Sequence, residues 1–209
     1  MVVTNLHVAP LDAACITVRT SLNSKAIRVV SSTRPVEGMD IVFLRVDEPF
    51  DMFARVEHEV EIRGGAKVMS IGYGLYSSQA TGVGTLDGEP LVSRGIITQV
   101  VKLPLEDGSP AEQMMLATSA ACWNGSSGGG LFAMPEGKLV GMITSNAKVE
   151  STGMIYPQLG FAIPTAVLRA GLDAVLCGGH VQTSERVKRL WTMQSTHKDV
   201  PQDTKKVKL

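Results

Sequence analysis

The chain has 209 residues, 44% hydrophobic and 19% charged, and its 20 basic and 20 acidic side chains leave a formal net charge of zero. That length and apolar content suit one large or two small domains with a substantial core, and basic residues scattered through the body give no electrostatic footprint for nucleic acid. No apolar run approaches the ~20 residues that cross a bilayer and no secretory leader opens the chain, so it reads as a soluble globular protein with neither nucleic acid nor membrane as partner.

In chain order, short β-prone runs recur, separated by Gly, Pro, Asp and Asn, which is an all-β pattern. Met1 to Leu6 forms a first such run and ends at His7. Cys15-Ile16-Thr17-Val18, Ile27-Arg28-Val29-Val30, Ile41 to Val46, Val60-Glu61-Ile62 and Lys67 to Ile71 follow as one series. A second series runs through Gly95 to Val101, Met114 to Thr118, Gly130 to Ala133, Leu139 to Thr144 and Gly160 to Ile163. The Gly-rich stretch Gly82 to Gly88 is the expected junction, giving a first β-barrel over 1–82 and a second barrel with its closing helix over 83–179. Pro164 to Leu176 carries apolar residues at helical spacing and stops before Gly178-Gly179. A polar tail over 180–209 holds one short amphipathic piece, Val187-Lys188-Arg189-Leu190-Trp191.

Gly125-Ser126-Ser127-Gly128-Gly129 leads into the apolar pair Leu131-Phe132 and is the sequence of a sharp turn that presents a serine hydroxyl. Its glycines permit tight-turn dihedrals and leave the amides of Gly125 and Ser127 able to converge on one carbonyl oxygen as an oxyanion hole. Serine is a weak nucleophile near neutral pH, so this chemistry needs a histidine base and a carboxylate to orient it. Of the 4 histidines, His7 alone follows a β-like run at a loop, whereas His58 lies among charges and His180 and His197 lie beyond the last apolar periodic segment. Among the carboxylates, Asp40 opens the apolar run Ile41 to Leu44 and so needs a partner. Asp12, Asp107, Asp199 and Asp203 stand in polar surroundings and read as solvated charges. His7, Asp40 and Ser127 then occur in the His, Asp, Ser order of two-barrel serine proteases. Taken singly, each motif is an ordinary turn, packed histidine or turn aspartate; Ser126 is the rival nucleophile.

Thr4-Asn5-Leu6-His7-Val8, Met39-Asp40-Ile41-Val42-Phe43-Leu44 and Gly125-Ser126-Ser127-Gly128-Gly129 together resemble the chymotrypsin-like fold, in its HtrA/Deg-type branch. About two strands normally precede the histidine in that fold; only six residues precede His7, so the first barrel is expected to lack its initial strands. Gly141 to Ala147 and Tyr156 to Pro164 are similar to the peroxisomal, or glyoxysomal, leader-peptide processing proteases, over most of residues 1–176. The resemblance implies a serine endopeptidase that removes N-terminal targeting presequences beside a cysteine, through an acyl-enzyme, in the peroxisomal matrix. The peroxisomal import receptor becomes a further candidate partner, and the cytoplasm is the alternative compartment. The different-class alternative is a catalytically inactive peptide-binding module of the same fold.

Ala121 and Cys122 stand where a trypsin-type enzyme would place an acid, so a small uncharged residue is expected there rather than Lys or Arg. Cys122 reads equally well as a small apolar side chain under the loop. Thr144-Ser145-Asn146-Ala147 is the expected edge on which a substrate lies as an added strand. The 3 cysteines suggest no disulfide framework, and Val8 in place of a cysteine after His7 suits a reducing compartment. No Cys/His cluster has metal-ligand spacing and no phosphate-cradling loop follows a strand, so no cofactor is expected. Val207-Lys208-Leu209 resembles a Ser-Lys-Leu peroxisomal address but departs from it at the first position.

Overall fold

The computed structural model describes residues 1–12, 16–19, 26–57, 61–73, 90–103, 112–123, 125–148 and 155–192. The expectations placed on Cys15, His58, Gly82 to Gly88, Asp107, His197, Asp199, Asp203 and Val207-Lys208-Leu209 lie outside these residues.

Four strands form the first sheet: β1 (Val2–Thr4), β2 (Thr17–Arg19), β3 (Ala26–Thr33) and β4 (Val42–Val46), in the order β1-β4-β3-β2. Six more close on themselves as a barrel: β5 (Lys67–Gly72), β6 (Leu91–Leu103), β7 (Glu112–Thr118), β8 (Gly130–Ala133), β9 (Leu139–Lys148) and β10 (Ile155–Pro164), in the order β10-β7-β6-β5-β8-β9. Closure gives each strand of this barrel a neighbour on both sides over part of its length. The all-β, two-barrel reading therefore holds, with one closed barrel and one four-stranded half.

β4 explains how the first sheet sits on the rest. Along β4 and the residue before it, side chains alternate by period two, so Val42 and Leu44 enter a small core with Ala9, backed by Val2, Leu6 and Val29, while Ile41 and Phe43 face a larger one. That larger core takes Met114, Met115, Met142 and Ile163 from the second barrel and Val167 and Leu168 from helix α1 (Thr165–Cys177). Helix α1 ends where expected: Gly178 takes φ 68° and Gly179 N donates to Ala174 O at 2.8 Å. A second helix, α2 (Glu185–Thr192), realises the amphipathic piece around Leu190 and seals the same core with Val187 and Trp191.

Two strand assignments change. Lys67 to Ile71, grouped in sequence with the first series, pairs with β6 on one side and β8 on the other and so belongs to the closed barrel. Glu61-Ile62 is irregular chain, not strand. Ile62 still plugs the barrel core, and Gly65, at φ 84°, turns the backbone so that its amide and that of Ile97 dock segment 65–66 on β6.

Candidate active site

The turn after β1 is built around Asn5, which is wholly buried. Its carbonyl accepts the amides of Val8 and Ala9, both at 3.1 Å, and its side-chain Nδ2 donates to Asp40 O at 2.9 Å. This fastens the turn carrying His7 to the loop that leads into β4. His7 then meets Asp40 twice: the backbone amide donates to Oδ1 at 3.0 Å and Nδ1 lies 2.6 Å from Oδ2. An ionised carboxylate only accepts, so the proton of a neutral His7 ring sits on Nδ1 and the lone pair is left on Nε2.

Electrostatics follow from those contacts. Partial burial disfavours an ionised Asp40, but hydrogen bonds from the His7 ring, the His7 amide and the Thr144 hydroxyl outweigh it and hold the carboxyl below its ordinary range. The hydrogen bond to Asp40 raises His7 above the ordinary imidazole value, against a smaller opposing effect of burial.

The Gly125–Gly129 loop is held by its own backbone. Gly125 takes φ 91° and Gly128 φ 86°, conformations that side-chain-bearing residues rarely adopt. Ser126 N donates to Trp123 O, Gly128 N to Ile143 O and Gly129 N to Ser126 O, which engages three of the loop's amides. Those of Gly125 and Ser127 have no partner among the described residues. Ser126 is 4% exposed and its Oγ is bound to Trp123 O at 2.6 Å, so it is turned inward. Ser127 is half-buried and its Oγ donates to Thr144 O at 3.1 Å.

Thr144 joins the two halves. Its carbonyl accepts from Ser127 and its Oγ1 donates to Asp40 Oδ2 at 3.2 Å, so a residue of β9 touches both the serine loop and the aspartate ahead of β4. Gly128 also abuts Thr4 of β1 closely enough that a Cβ there would overlap the threonine hydroxyl. His7 and Asp40 are thus directly paired, and Ser127 reaches Asp40 through Thr144; among the described residues its hydroxyl is bonded to Thr144, not to His7. His180 and Asp12 are exposed.

The expected pocket wall is tightly built. Ala121 N donates to Ser93 Oγ at 2.9 Å, and Ala121 O accepts the Ser70 hydroxyl at 2.9 Å. Asn146 Nδ2 donates to Cys122 O at 2.7 Å, while the Cys122 thiol presses on Gly160, where a Cβ would lie 2.6 Å from the sulfur. Burial pushes that thiol up to about 11, so it stays protonated near neutral pH and is no competing nucleophile. Along the expected substrate edge, β8 pairs with β9 only as far as Met142, whereas β10 pairs with Ser145, Asn146 and Ala147. The polar supports that sequence reasoning misses are Asn5 and the Thr144 hydroxyl: Thr144 reads in sequence only as substrate edge, and its tie to Asp40 spans 104 positions. Among the described residues no group of three His, Cys, Asp or Glu stands together as a metal site.

The Trypsin-like peptidase domain family matches residues 1–142. The chain belongs to this family. The domain is 32% identical to the Peroxisomal leader peptide-processing protease of Mus musculus and 34% identical to that of Homo sapiens, over 96% of its own length in each case. It spans 35% of the length of those relatives. Among solved structures, the peptidase domain is similar to the HtrA-type protease AlgW with decapeptide, with 26% identity and a TM-score of 0.61 over 86% of this chain and 49% of that one. It shares its fold with the MamO protease domain from Magnetospirillum magneticum in the apo form, with 20% identity and a TM-score of 0.59 over 80% of each chain.

Proposed function

We propose that this trypsin-like peptidase domain is a serine endopeptidase in which Ser127 is the nucleophile, His7 the general base and Asp40 the group that orients His7. The observation that carries the reading is the convergence on Thr144, whose two oxygens engage Asp40 and Ser127 while Asp40 holds the His7 ring. In the reaction, His7 Nε2 takes the Ser127 proton as Oγ attacks the scissile carbonyl, and the amides of Gly125 and Ser127 receive the oxyanion. His7 then returns the proton to the leaving amine, and water, activated by the same ring, releases the acyl group. Catalytic hydrogen bonds in unliganded proteases often tighten only with substrate bound, which accommodates a Ser127 hydroxyl resting on Thr144 O.

The substrates are peptides or proteins bearing N-terminal presequences, by analogy with the name of the relatives, laid along Thr144, Ser145, Asn146 and Ala147 as an added strand. Ala121 and Cys122 supply no acid to pair with a basic side chain, so cleavage beside a small uncharged residue such as cysteine is the proposed preference. The proposed site of action is the peroxisomal matrix, with the import receptor as a carrier.

A fluorophosphonate probe tests the nucleophile: its mass should appear on the peptide containing Ser127 and vanish in Ser127→Ala. Folded protein that stays unlabelled would reject the enzyme reading and favour a peptide-binding module, for which presequence peptides bind saturably without turnover and His7→Ala leaves affinity unchanged. Specificity is checked by turnover of one presequence peptide carrying cysteine against the same peptide with arginine in its place.

A further inference from the structure

Asp40 is gripped from two sides, and only one belongs to the machinery above. On the His7 side its carbonyl is held by Asn5. On the other side the loop that delivers it, Pro35 to Met39, is covered by residues 181–192. Val181 forms a parallel bridge to Val36, and its amide donates to Pro35 O at 2.7 Å. Thr183 Oγ1 donates to Glu37 O at 2.8 Å. Lys188 on α2 lies 3.3 Å from Glu37 and 3.1 Å from Glu185. Its side chain crosses Gly38 so closely that a Cβ there would lie 2.7 Å from Lys188 Cγ, and Gly38 holds φ 74°. Met39 and Ile41, the residues on either side of Asp40, share one core with Val187 and Trp191.

From this arrangement we infer that the 181–192 segment is a positioning strap for Asp40, setting the orienting carboxylate through the loop that carries it. The inference rests on the catalytic reading of Asp40 proposed above. Its physical basis is a lever. Met39 and Ile41 are buried in the core that Val187 and Trp191 help to form, and the strap holds the loop at Pro35 to Gly38, so the backbone on either side of Asp40 is constrained while its carboxylate pairs with His7. Loosening the strap frees that backbone to shift, and displacements of about 1 Å in a catalytic group cost on the order of a hundredfold in rate. The ionisable groups at this corner are His7, Asp40, Arg34, Glu37, Glu185 and Lys188, with Arg34 Nη2 donating to Met39 O at 3.3 Å.

The test uses the whole chain. A Val181→Pro/Thr183→Val variant removes two hydrogen-bond donors to the loop without emptying the core, and Trp191→Ala loosens α2 more strongly. Val140→Ala, in the second-barrel core, is the control, compared at matched loss of melting temperature. Two quantities are read: the titration midpoint of the His7 ring by NMR, and kcat and KM on a presequence peptide. The strap variants should lower the His7 midpoint and reduce kcat about tenfold to a hundredfold with KM little changed, whereas Val140→Ala moves neither. Should Trp191→Ala fail to fold, the double variant decides. A folded double variant with the parent's His7 midpoint overturns the strap, as does a control that shifts equally. Because the NMR titration needs no turnover, it separates this failure from failure of the enzyme reading, which the parent chain's labelling by fluorophosphonate reports.

Discussion

At Asp40 two opposed effects meet, burial that favours the neutral acid and three hydrogen bonds that favour the anion, and the bonds win. Replacing the residue by asparagine keeps the shape but permits the amide to donate where the carboxylate could only accept, so the His7 ring adopts the wrong tautomer. Asp40→Asn should therefore lower kcat/KM by about 10⁴-fold, the scale of such a change in a serine triad, in a peptide-cleavage assay. The pH profile gives an independent sign. The proposed base role requires a neutral His7, and the hydrogen bond to Asp40 raises its pKa, so activity of the parent should fall as pH drops through a value above the ordinary imidazole one. In Asp40→Asn the residual activity should persist to lower pH. Stability is linked to the same pair. The raised His7 contributes below its unfolded value and that contribution is lost as pH rises through the folded one; the lowered Asp40 contributes above its unfolded value and is lost as pH falls through the folded one. Both contributions are present together between those limits, in mildly acidic solution. There the melting-temperature gap between the parent and Asp40→Asn should be widest. Thr144→Val, which deletes the hydroxyl donor to Asp40, should move the Asp40 titration upward, read from its side-chain carbon shift by NMR.

Among the elements, the loop from Gly125 to Gly129 is the most legible part of the chain because its chemistry is local. Glycines at 125 and 128 announce positive φ, and both adopt it. Strands are legible for a similar reason, since Val42-Phe43-Leu44 write their burial into neighbouring residues. Partner choice is not. Lys67 to Gly72 looks like any strand of the first series, and its place in the closed barrel is decided by β6 and β8, whose residues lie tens of positions away. Thr144 is hidden in the same way: nothing in Ile143-Thr144-Ser145 signals an aspartate 104 residues earlier. Gly128 combines both kinds of constraint. An alanine there must hold φ near 86° and push against Thr4 at the end of β1, just ahead of the His7 turn. Gly128→Ala should cost about 1–3 kcal/mol, the usual penalty for a strained backbone position, measured by urea unfolding. Fluorophosphonate labelling of Ser127 should fall as well, because φ near 86° is costly for alanine and relaxing it shifts the loop that carries Ser127.

Taken as a whole molecule, the site depends on two β units staying in register, since His7 and Asp40 lie in the turn after β1 and the loop before β4 of the first sheet, whereas Ser127 lies in the loop before β8 and Thr144 in β9 of the closed barrel. The shared core beneath α1 holds them, and Gly171 is a tight point in it: a Cβ there would lie 2.9 Å from Phe43 Cε2 and 3.3 Å from Val36 Cγ2. Replacing this glycine by leucine sets two effects against each other. Helix propensity favours the change by up to about 1 kcal/mol, while inserting a branched side chain into a packed core costs about 1–3 kcal/mol, occasionally more. Four new carbon atoms against the Phe43 ring make overpacking the larger effect, so Gly171→Leu should destabilise the fold. Because Phe43 lies in β4 only three positions after Asp40, the same displacement should lower kcat on a presequence peptide. Adding Phe43→Ala to Gly171→Leu makes room at the contact, and the double variant should recover part of both losses. A thermodynamic cycle over the parent, the two single variants and the double variant measures this coupling. Additive losses would mean that Gly171 does not act through Phe43, and that the register of sheet and barrel is set elsewhere in the shared core.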